Sequence, residues 1–225
     1  MTIPTELYQQ AVLHWPAAGR HILAHEQDDA VVVYQAFRAA TAAYAVAHQA
    51  FGGDTYSYGR MSWIKPNFLW MMYRCGWAEK EGQKRVLAIT IGCDHFETIL
   101  NEAVHAVYDH SYGDRASWQL QLKEKDVRLQ WDPDHDPFGH KCTRRAIQLG
   151  LKGEMLQLFG RSWIRKIEDI TDFVQEQKSK LDKNGPEALQ VPVERVLYIG
   201  DPEIRKRIQL DEHHTEPDHL FKIIK

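Results

Sequence analysis

Cysteines and long apolar segments are both scarce in this sequence. The three cysteines among 225 residues are Cys75, Cys93 and Cys142, and an odd number at wide spacing argues against a disulfide framework and against a CxxC zinc site. The longest apolar run, 68–72, is far shorter than the ~20 residues that cross a bilayer. The first residues carry neither the basic nor the apolar region of a signal peptide. We therefore expect a cytoplasmic protein with no membrane partner.

Several common catalytic motifs are also missing. The sequence has no GxGxxG, GxxxxGK[ST], GxSxG or HExxH pattern, which leaves the usual dinucleotide, NTPase, hydrolase and zincin classes without support. The segment 131–137 places three aspartates beside His135, but His140 and Cys142 do not complete a zinc pattern. The run also lacks the glycine and terminal glutamate of an EF-hand loop. We predict an Asx-Pro turn there and no metal site.

The charge balance lacks the basic excess of a dedicated duplex-DNA binder. Lys and Arg total 28 against 31 Asp and Glu, a formal net charge of -3. Hydrophobic residues make up 44% and charged residues 26% of the chain, as in ordinary folded domains. Because domains usually have roughly 100 to 200 residues, we expect one domain over residues 1–210 and a loosely held tail over 211–225.

The pattern of apolar residues predicts intermixed strands and helices. Val31, Val32 and Val33 form a β-branched run that is typical of a strand buried on both faces. A long polar loop is predicted over 109–126. The uneven spacing favours a single α+β domain in which a central mixed or antiparallel sheet is flanked by helices. The predicted strands are 30–34, 60–64, 85–91, 127–131 and 193–199, and the predicted helices are 36–50, 66–75, 96–107, 143–159 and 163–181.

The densest aromatic and basic block of the chain, residues 60–77, predicts a nucleotide site. Cationic side chains bind phosphate, and aromatic faces stack on bases. Two of its cations, Arg60 and Lys65, flank a predicted strand-to-helix junction, where the helix start adds N–H donors for an anion. The apolar members of the block at helical spacing are predicted to be core instead. The cofactor-binding candidates in the block are Arg60, Ser62, Trp63, Lys65 and Arg74.

A second group of candidates lies around the first predicted strand. Tyr34 and Gln35 close this strand just before a helix. A glutamine at such a junction either positions a polar ligand or caps neighbouring backbone. Arg20, which precedes the strand, either joins a phosphate cluster or lies in solvent. Tyr34 and Arg20 are therefore candidates for cofactor binding, and Gln35 is a candidate catalytic residue.

Four segments of the chain resemble one protein family. They are similar to a family of bacterial and fungal proteins known as domain of unknown function 4291. The resemblance extends from about Arg20 to Leu210, and the family pattern has serine where Asn67 stands. It names a family and implies no activity. The four segments are VYQAF at 33–37, the block at 60–77, WDPDHDP at 131–137 and RRAIQLGL at 144–151.

A weaker resemblance is to the ADP-ribosyltransferase superfamily. Residues 34–35 stand where that superfamily has a conserved Arg or His, and residues 62–63 stand where it has a strand with Ser or Thr. The resemblance implies a split sheet that grips NAD. Cleaving nicotinamide from ribose passes through an oxocarbenium-like state that needs a nearby carboxylate. Glu194 and Asp132 are the candidates for that carboxylate.

The sequence thus predicts a protein that binds a nucleotide or a nucleic-acid end in a basic, aromatic cleft. The expected function is that of a transferase that uses NAD or a related nucleotide, with RNA or protein as the acceptor. Under this hypothesis Arg60 and Lys65 bind phosphate, Tyr34 and Trp63 stack on rings, and Gln35 contacts ribose or base. An alternative is a non-catalytic module that binds RNA or single-stranded DNA through stacking and phosphate contacts. A third possibility is a protein-binding module, for which an exposed tryptophan-rich patch would be the expected mark.

Overall fold

The computed structural model describes residues 2–211. All of the predicted tail after Asp211 lies outside the described residues. Within this part of the chain, no helix is long and apolar enough to cross a membrane. The strands are β1 (Thr5–Leu7), β2 (Gly19–Arg20), β3 (Leu23–Ala24), β4 (Glu26–Gln27), β5 (Ala30–Phe37), β6 (Ser62–Ile64), β7 (Arg85–Gly92), β8 (Ala103–His105), β9 (Val127–His135), β10 (Lys141–Leu151), β11 (Ile164–Asp169), β12 (Gln190–Pro192) and β13 (Arg195–Val196). The α-helices are α1 (Tyr8–Ala11), α2 (Ala39–His48), α3 (Phe68–Cys75), α4 (Cys93–Asn101), α5 (Arg115–Glu124), α6 (Gly153–Leu158), α7 (Thr171–Asn184) and α8 (Pro202–Ile208).

Within residues 2–211, two larger sheets meet at one isolated backbone bridge. The first sheet is antiparallel and has the strand order β11-β7-β5-β4. The second is mixed, because β10 lies antiparallel to β9 and β6 but parallel to β2, and β8 lies parallel to β9. Tyr34 of β5 and Lys65, just after β6, join the sheets through backbone N···O distances of 2.7 and 3.2 Å. The predicted α+β class with mixed and antiparallel sheets is confirmed.

Strand β5 is buried on both faces, as its valine run predicts. Successive side chains of a strand point to opposite faces. Val31 and Val33 therefore pack into an apolar cluster with residues of β7, β9 and β10, and Val32 and Tyr34 pack into another with residues of α3 and α7. This two-sided packing fixes β5 firmly, so the polar residue that follows, Gln35, is held in a defined place.

Helix α3 begins within two residues of its predicted start and ends at the predicted residue. Asn67 is its N-cap, and the Oδ1 atom of Asn67 accepts a hydrogen bond from the backbone N–H of Trp70 at 2.7 Å. Gly76 ends the helix in left-handed backbone with φ 58°, a conformation that glycine adopts without strain. Tyr73 and Arg74 are the residues of α3 that are not buried, so α3 presents a cation at its open face.

Two predicted helices are wrong over part of their length. Residues 143–159 form most of β10, followed by α6, and residues 163–181 form β11, followed by α7. A short apolar run such as Ala146, Ile147 and Leu149 fits a buried strand as well as a helix. Pairing with the distant strands β9 and β7 decides between the two, and that pairing is not a local property of the sequence.

The segment between β7 and β9 also differs from its prediction. The polar stretch 109–126 is not a continuous loop, because it contains α5. Asp114 is the N-cap of this helix, and its Oδ1 atom accepts a hydrogen bond from the backbone N–H of Ser117 at 2.7 Å. The helix predicted over 96–107 ends at Asn101, because the next residues pair with β9 as strand β8.

Two further predictions were wrong in extent. The predicted turn at 131–137 continues β9 as far as His135. Asp134 is held there by a buried ion pair with Arg144, in which Oδ2 lies 2.6 Å from a guanidinium nitrogen. The strand predicted over 193–199 is shorter, because β13 pairs with β3 over two residues only.

Candidate functional site

A cavity of about 480 Å³ lies at the junction of the two sheets. The end of β5, the strand β6, the exposed face of α3, and β9 with β10 all contribute to its wall. The apolar part of the lining includes Phe37, Met61, Trp63 and Met71. The polar side chains of the lining are Gln35, Ser62, Lys65, Arg74, Gln83, Gln130 and Gln148. Segments far apart in the sequence therefore build one concave surface.

Half of the sequence-predicted site residues line this cavity together. Gln35 comes from β5, just beyond the bridge between the sheets, and Arg74 comes from the last turn of α3. Lys65 and Arg74 thus bring two cations into the same lining as the end of the valine-rich strand β5. The predicted residues in the lining are Gln35, Ser62, Trp63, Lys65 and Arg74.

Three other predicted residues lie elsewhere. Tyr34 is fully buried on the other face of β5, with its ring centroid 5.6 Å from that of Phe68. Burial, and then the neighbouring Glu194 carboxyl group, raise the pKa of Tyr34 well above 10.0. Arg60 is exposed and is not part of the lining. Arg20 lies in β2, where its guanidinium donates to the side-chain oxygen of Gln209.

Neither of the predicted carboxylates lies in the lining. Glu194 is 1% exposed, and its Oε1 atom accepts a hydrogen bond from the backbone N–H of Phe68 at 2.8 Å. It therefore holds the first turn of α3, and burial raises its pKa well above 4.5. Asp132 is not part of the lining but contacts it, since its Oδ2 atom accepts a hydrogen bond from Nε2 of the lining residue Gln148 at 2.7 Å.

Lys65 is a buried cation without an ion pair among the described residues. Its side chain is 4% exposed, and Nζ lies 3.3 Å from the backbone oxygen of Trp63. Burial, and then the charge of Arg74, lower the pKa of Lys65 from 10.5 to about 8, and Asp132 acts in the opposite direction. Two positive groups thus share a cavity in which one of them is poorly solvated.

Hydrogen bonds fix two glutamine side chains of the lining. The Nε2 atom of Gln35 donates to Oγ of Ser62 at 2.7 Å and to the backbone oxygen of Trp63 at 3.1 Å. The Nε2 atom of Gln148 donates to Oε1 of Gln130 at 2.9 Å and to Oδ2 of Asp132 at 2.7 Å. Both amino groups are therefore fully used, and each amide keeps an oxygen for another partner.

Sequence reasoning missed the glutamines of the mixed sheet. Gln130 and Gln148 are directly opposite each other in the antiparallel pairing of β9 with β10. Gln130 lies on the predicted strand 127–131, but Asp132 falls in the predicted turn, so the face that both residues share on β9 is evident only in the structure. No signal marked Gln148, since its segment was predicted to be helical.

The tryptophans of the 60–77 block do not form an exposed patch. Trp70 and Trp77 are buried in the core, and Trp63 is half-buried in the cavity wall. A protein-binding module built on an exposed tryptophan surface therefore has little support from this block. The half-buried ring of Trp63 is instead placed where a flat ligand could stack.

Comparisons with known proteins assign a family to the chain. No curated protein matches it. Residues 21–197 match the family model described as a domain of unknown function (DUF4291). The match contains the whole cavity lining, although it ends earlier than the expected limit at Leu210. Since it covers well over half of the chain, the protein belongs to the DUF4291 family.

Proposed function

We propose that the protein binds a nucleotide in the cavity between the two sheets, with Lys65 and Arg74 on the phosphates. One observation carries this proposal. Two cations line the cavity, and the lining, taken from residues 2–211, contains no carboxylate. A ligand with several negative charges would supply the missing counter-charge through charge-assisted hydrogen bonds.

The burial of Lys65 supports an anionic ligand. An unpaired ammonium group inside a protein costs several kcal/mol, and such a group usually becomes neutral or gains a partner. Lys65 is both buried and without a carboxylate in ion-pair contact within the described part of the chain. Buried, perturbed lysines of this kind are typical of functional sites.

The shape of the cavity also suits a nucleotide. Its volume of about 480 Å³ lies within the roughly 300–1,000 Å³ of small-molecule sites. Trp63 offers a ring face, and glutamine amides offer hydrogen bonds to a base or ribose. The apolar side chains of Phe37, Met61 and Met71 complete the wall.

The finer form of the proposal is an NAD-dependent transfer of ADP-ribose to an RNA or protein acceptor. In that reaction the bond between nicotinamide and ribose breaks, and the acceptor forms a new bond to ribose. Neutral nicotinamide leaves, and the acceptor's proton passes to a base. Asp132 is the predicted carboxylate nearest the cavity, and Gln35 is the predicted catalytic residue that lines it. Glu194 lies at the start of α3 instead.

Calorimetric titration with ATP and with NAD tests the binding site. We expect Lys65→Met and Arg74→Gln each to weaken binding by about tenfold or more, because a hydrogen bond to a charged group contributes roughly 1.5–3 kcal/mol. Arg207→Gln is the matched control, since Arg207 is an exposed cation of α8 outside the lining. If wild type binds neither nucleotide, or if Arg74→Gln behaves like Arg207→Gln, the proposal is wrong.

Two further experiments distinguish the transferase hypothesis from the hypothesis of a non-catalytic nucleic-acid-binding module. Incubation with labelled NAD, protein and RNA leaves covalent label on an acceptor only if the protein is a transferase. Short single-stranded RNAs are titrated in parallel at two salt concentrations. Binding of RNA that is tighter than binding of ATP, and that falls steeply with salt, would favour the non-catalytic module.

A further inference from the structure

We propose that the base of the bound nucleotide carries an exocyclic amino group, as adenine does. This inference rests on the proposed nucleotide site and specifies its ligand. Two glutamines of the lining, Gln35 and Gln148, are held so that their amide oxygens remain as acceptors. An amino group on the ligand supplies the N–H donors that these oxygens lack.

The orientation of Gln35 is set by a group that can only accept. A backbone carbonyl has no hydrogen to give, so the contact with Trp63 at 3.1 Å must be made by Nε2 of Gln35. The oxygen therefore occupies the other side of the amide. This oxygen is buried and has no hydrogen-bond partner among the described residues. Buried polar groups are rarely left unpaired, and this one belongs to a residue that lines the cavity.

Gln148 is oriented by the same principle. The carboxylate of Asp132 accepts hydrogen bonds, so Nε2 of Gln148 faces it at 2.7 Å. The second hydrogen of that amino group goes to Oε1 of Gln130 at 2.9 Å. The oxygen of Gln148 is thus available on a residue that lines the cavity.

These constraints discriminate between an amino and a keto group on the base. An amino group donates to a glutamine oxygen, whereas a keto oxygen at the same position would face it as a second acceptor. Rotating either amide by 180° would bring its oxygen against the carbonyl of Trp63 or the carboxylate of Asp132. A buried acceptor that is left unpaired costs roughly 1–3 kcal/mol, which corresponds to about a fivefold to 150-fold loss of affinity.

The test compares ATP with ITP, in which a keto oxygen replaces the amino group of the purine. We expect ATP to bind at least about tenfold more tightly to the wild-type protein. Asp132→Asn should reduce the ratio of ATP affinity to ITP affinity. The amide of asparagine can donate a hydrogen bond as well as accept one, so the Gln148 amide can rotate and present its amino group to a keto oxygen. Loss of the Asp132 charge also affects Lys65, but it changes the phosphate contacts of both nucleotides alike and cancels in the ratio. Asp182→Asn, a charge change on the surface of α7, is the control.

The outcomes separate this inference from the proposed function. If neither nucleotide binds to wild type, the nucleotide site itself is wrong. If both bind and their dissociation constants agree within about twofold, the site stands and the amino-group inference is overturned. A wild-type preference that persists undiminished in Asp132→Asn overturns the role of Gln148. A preference for ATP over ITP that is smaller in Asp132→Asn than in wild type, and unchanged in Asp182→Asn, supports the inference.

Discussion

At the scale of single residues, the burial of Lys65 lowers the stability of the folded protein. Its pKa falls from 10.5 to about 8 on folding, which corresponds to roughly 3 kcal/mol of destabilisation while both states carry the proton. The full cost is present below about pH 8. As the pH rises from about 8 towards 10.5, the unfolded chain binds more protons than the folded protein, so this contribution to stability increases.

Lys65→Met should therefore stabilise the protein without ligand. We expect a gain of about 1–3 kcal/mol at neutral pH, because methionine fills a similar volume without a buried charge. The gain should shrink as the pH approaches 10.5. Urea denaturation at several pH values measures both effects. Lys84→Met removes an exposed lysine paired with Glu81 and should change little. A Lys65→Met protein less stable than wild type at neutral pH would contradict this account.

Glu194 has a structural effect that two substitutions can resolve. Leucine removes the acceptor of the Phe68 N–H, and we expect it to cost about 1–3 kcal/mol. Glutamine keeps a side-chain oxygen there and removes the charge. Because the pKa of Glu194 is raised on folding, wild type loses stability as the pH rises through that pKa, whereas Glu194→Gln does not.

The two Glu194 variants are compared by thermal unfolding over a range of pH. The advantage of Glu194→Gln over wild type should grow with pH from 4.5 upward. Because the Glu194 side chain lies outside the cavity lining, we also expect Glu194→Gln to bind ATP as wild type does. A large loss of ATP binding in a folded Glu194→Gln protein would instead favour the catalytic role predicted from the sequence.

At the scale of elements, the sequence predicts what local chemistry determines. The valine run predicts β5. The helix predicted over 66–75 matches α3 to within two residues, because the left-handed glycine that ends it, Gly76, acts within a few residues. The same is true of the site, since Ser62, Trp63, Lys65 and Arg74 are close together in the chain. The glutamines of β9 and β10 could not be placed, because their position depends on the pairing of two strands.

Gly150 illustrates such a non-local constraint. It falls within the helix predicted over 143–159, but it lies in β10 directly opposite Trp63 of β6. A Cβ atom at this position would lie 2.7 Å from Sδ of Met61 and 2.9 Å from ring atoms of Trp63. The absence of a side chain therefore allows both of these cavity residues to pack against β10.

We expect Gly150→Ala to push Met61 and Trp63 away from β10. The shift should cost about 1–3 kcal/mol of stability, as overpacking usually does, and should weaken ATP binding because it moves the cavity wall. Thermal unfolding and calorimetry measure the two effects. Gly59→Ala is the control, since its nearest atom would be 3.5 Å away and its backbone is not left-handed. Equal behaviour of the two variants would contradict the role assigned to Gly150.

At the scale of the whole molecule, the two sheets should unfold as one unit. The bridge between Tyr34 and Lys65 joins their backbones. A single apolar cluster also contains Ile89 of the antiparallel sheet and Leu149 of the mixed sheet. Small domains with a continuous core usually unfold in one cooperative transition. This coupling bears directly on the site, because the cavity has walls from both sheets.

We therefore expect one urea transition for the whole chain, with the same midpoint by tryptophan fluorescence and by far-ultraviolet circular dichroism. A ligand that binds only the folded protein stabilises it by about 2.7 kcal/mol at one hundred times its dissociation constant. ATP at that concentration should thus move the single midpoint upward by both probes. Two separate transitions, or a shift seen by one probe alone, would contradict the single domain predicted over residues 1–210. Such a result would also mean that the cavity wall belongs to parts that fold independently.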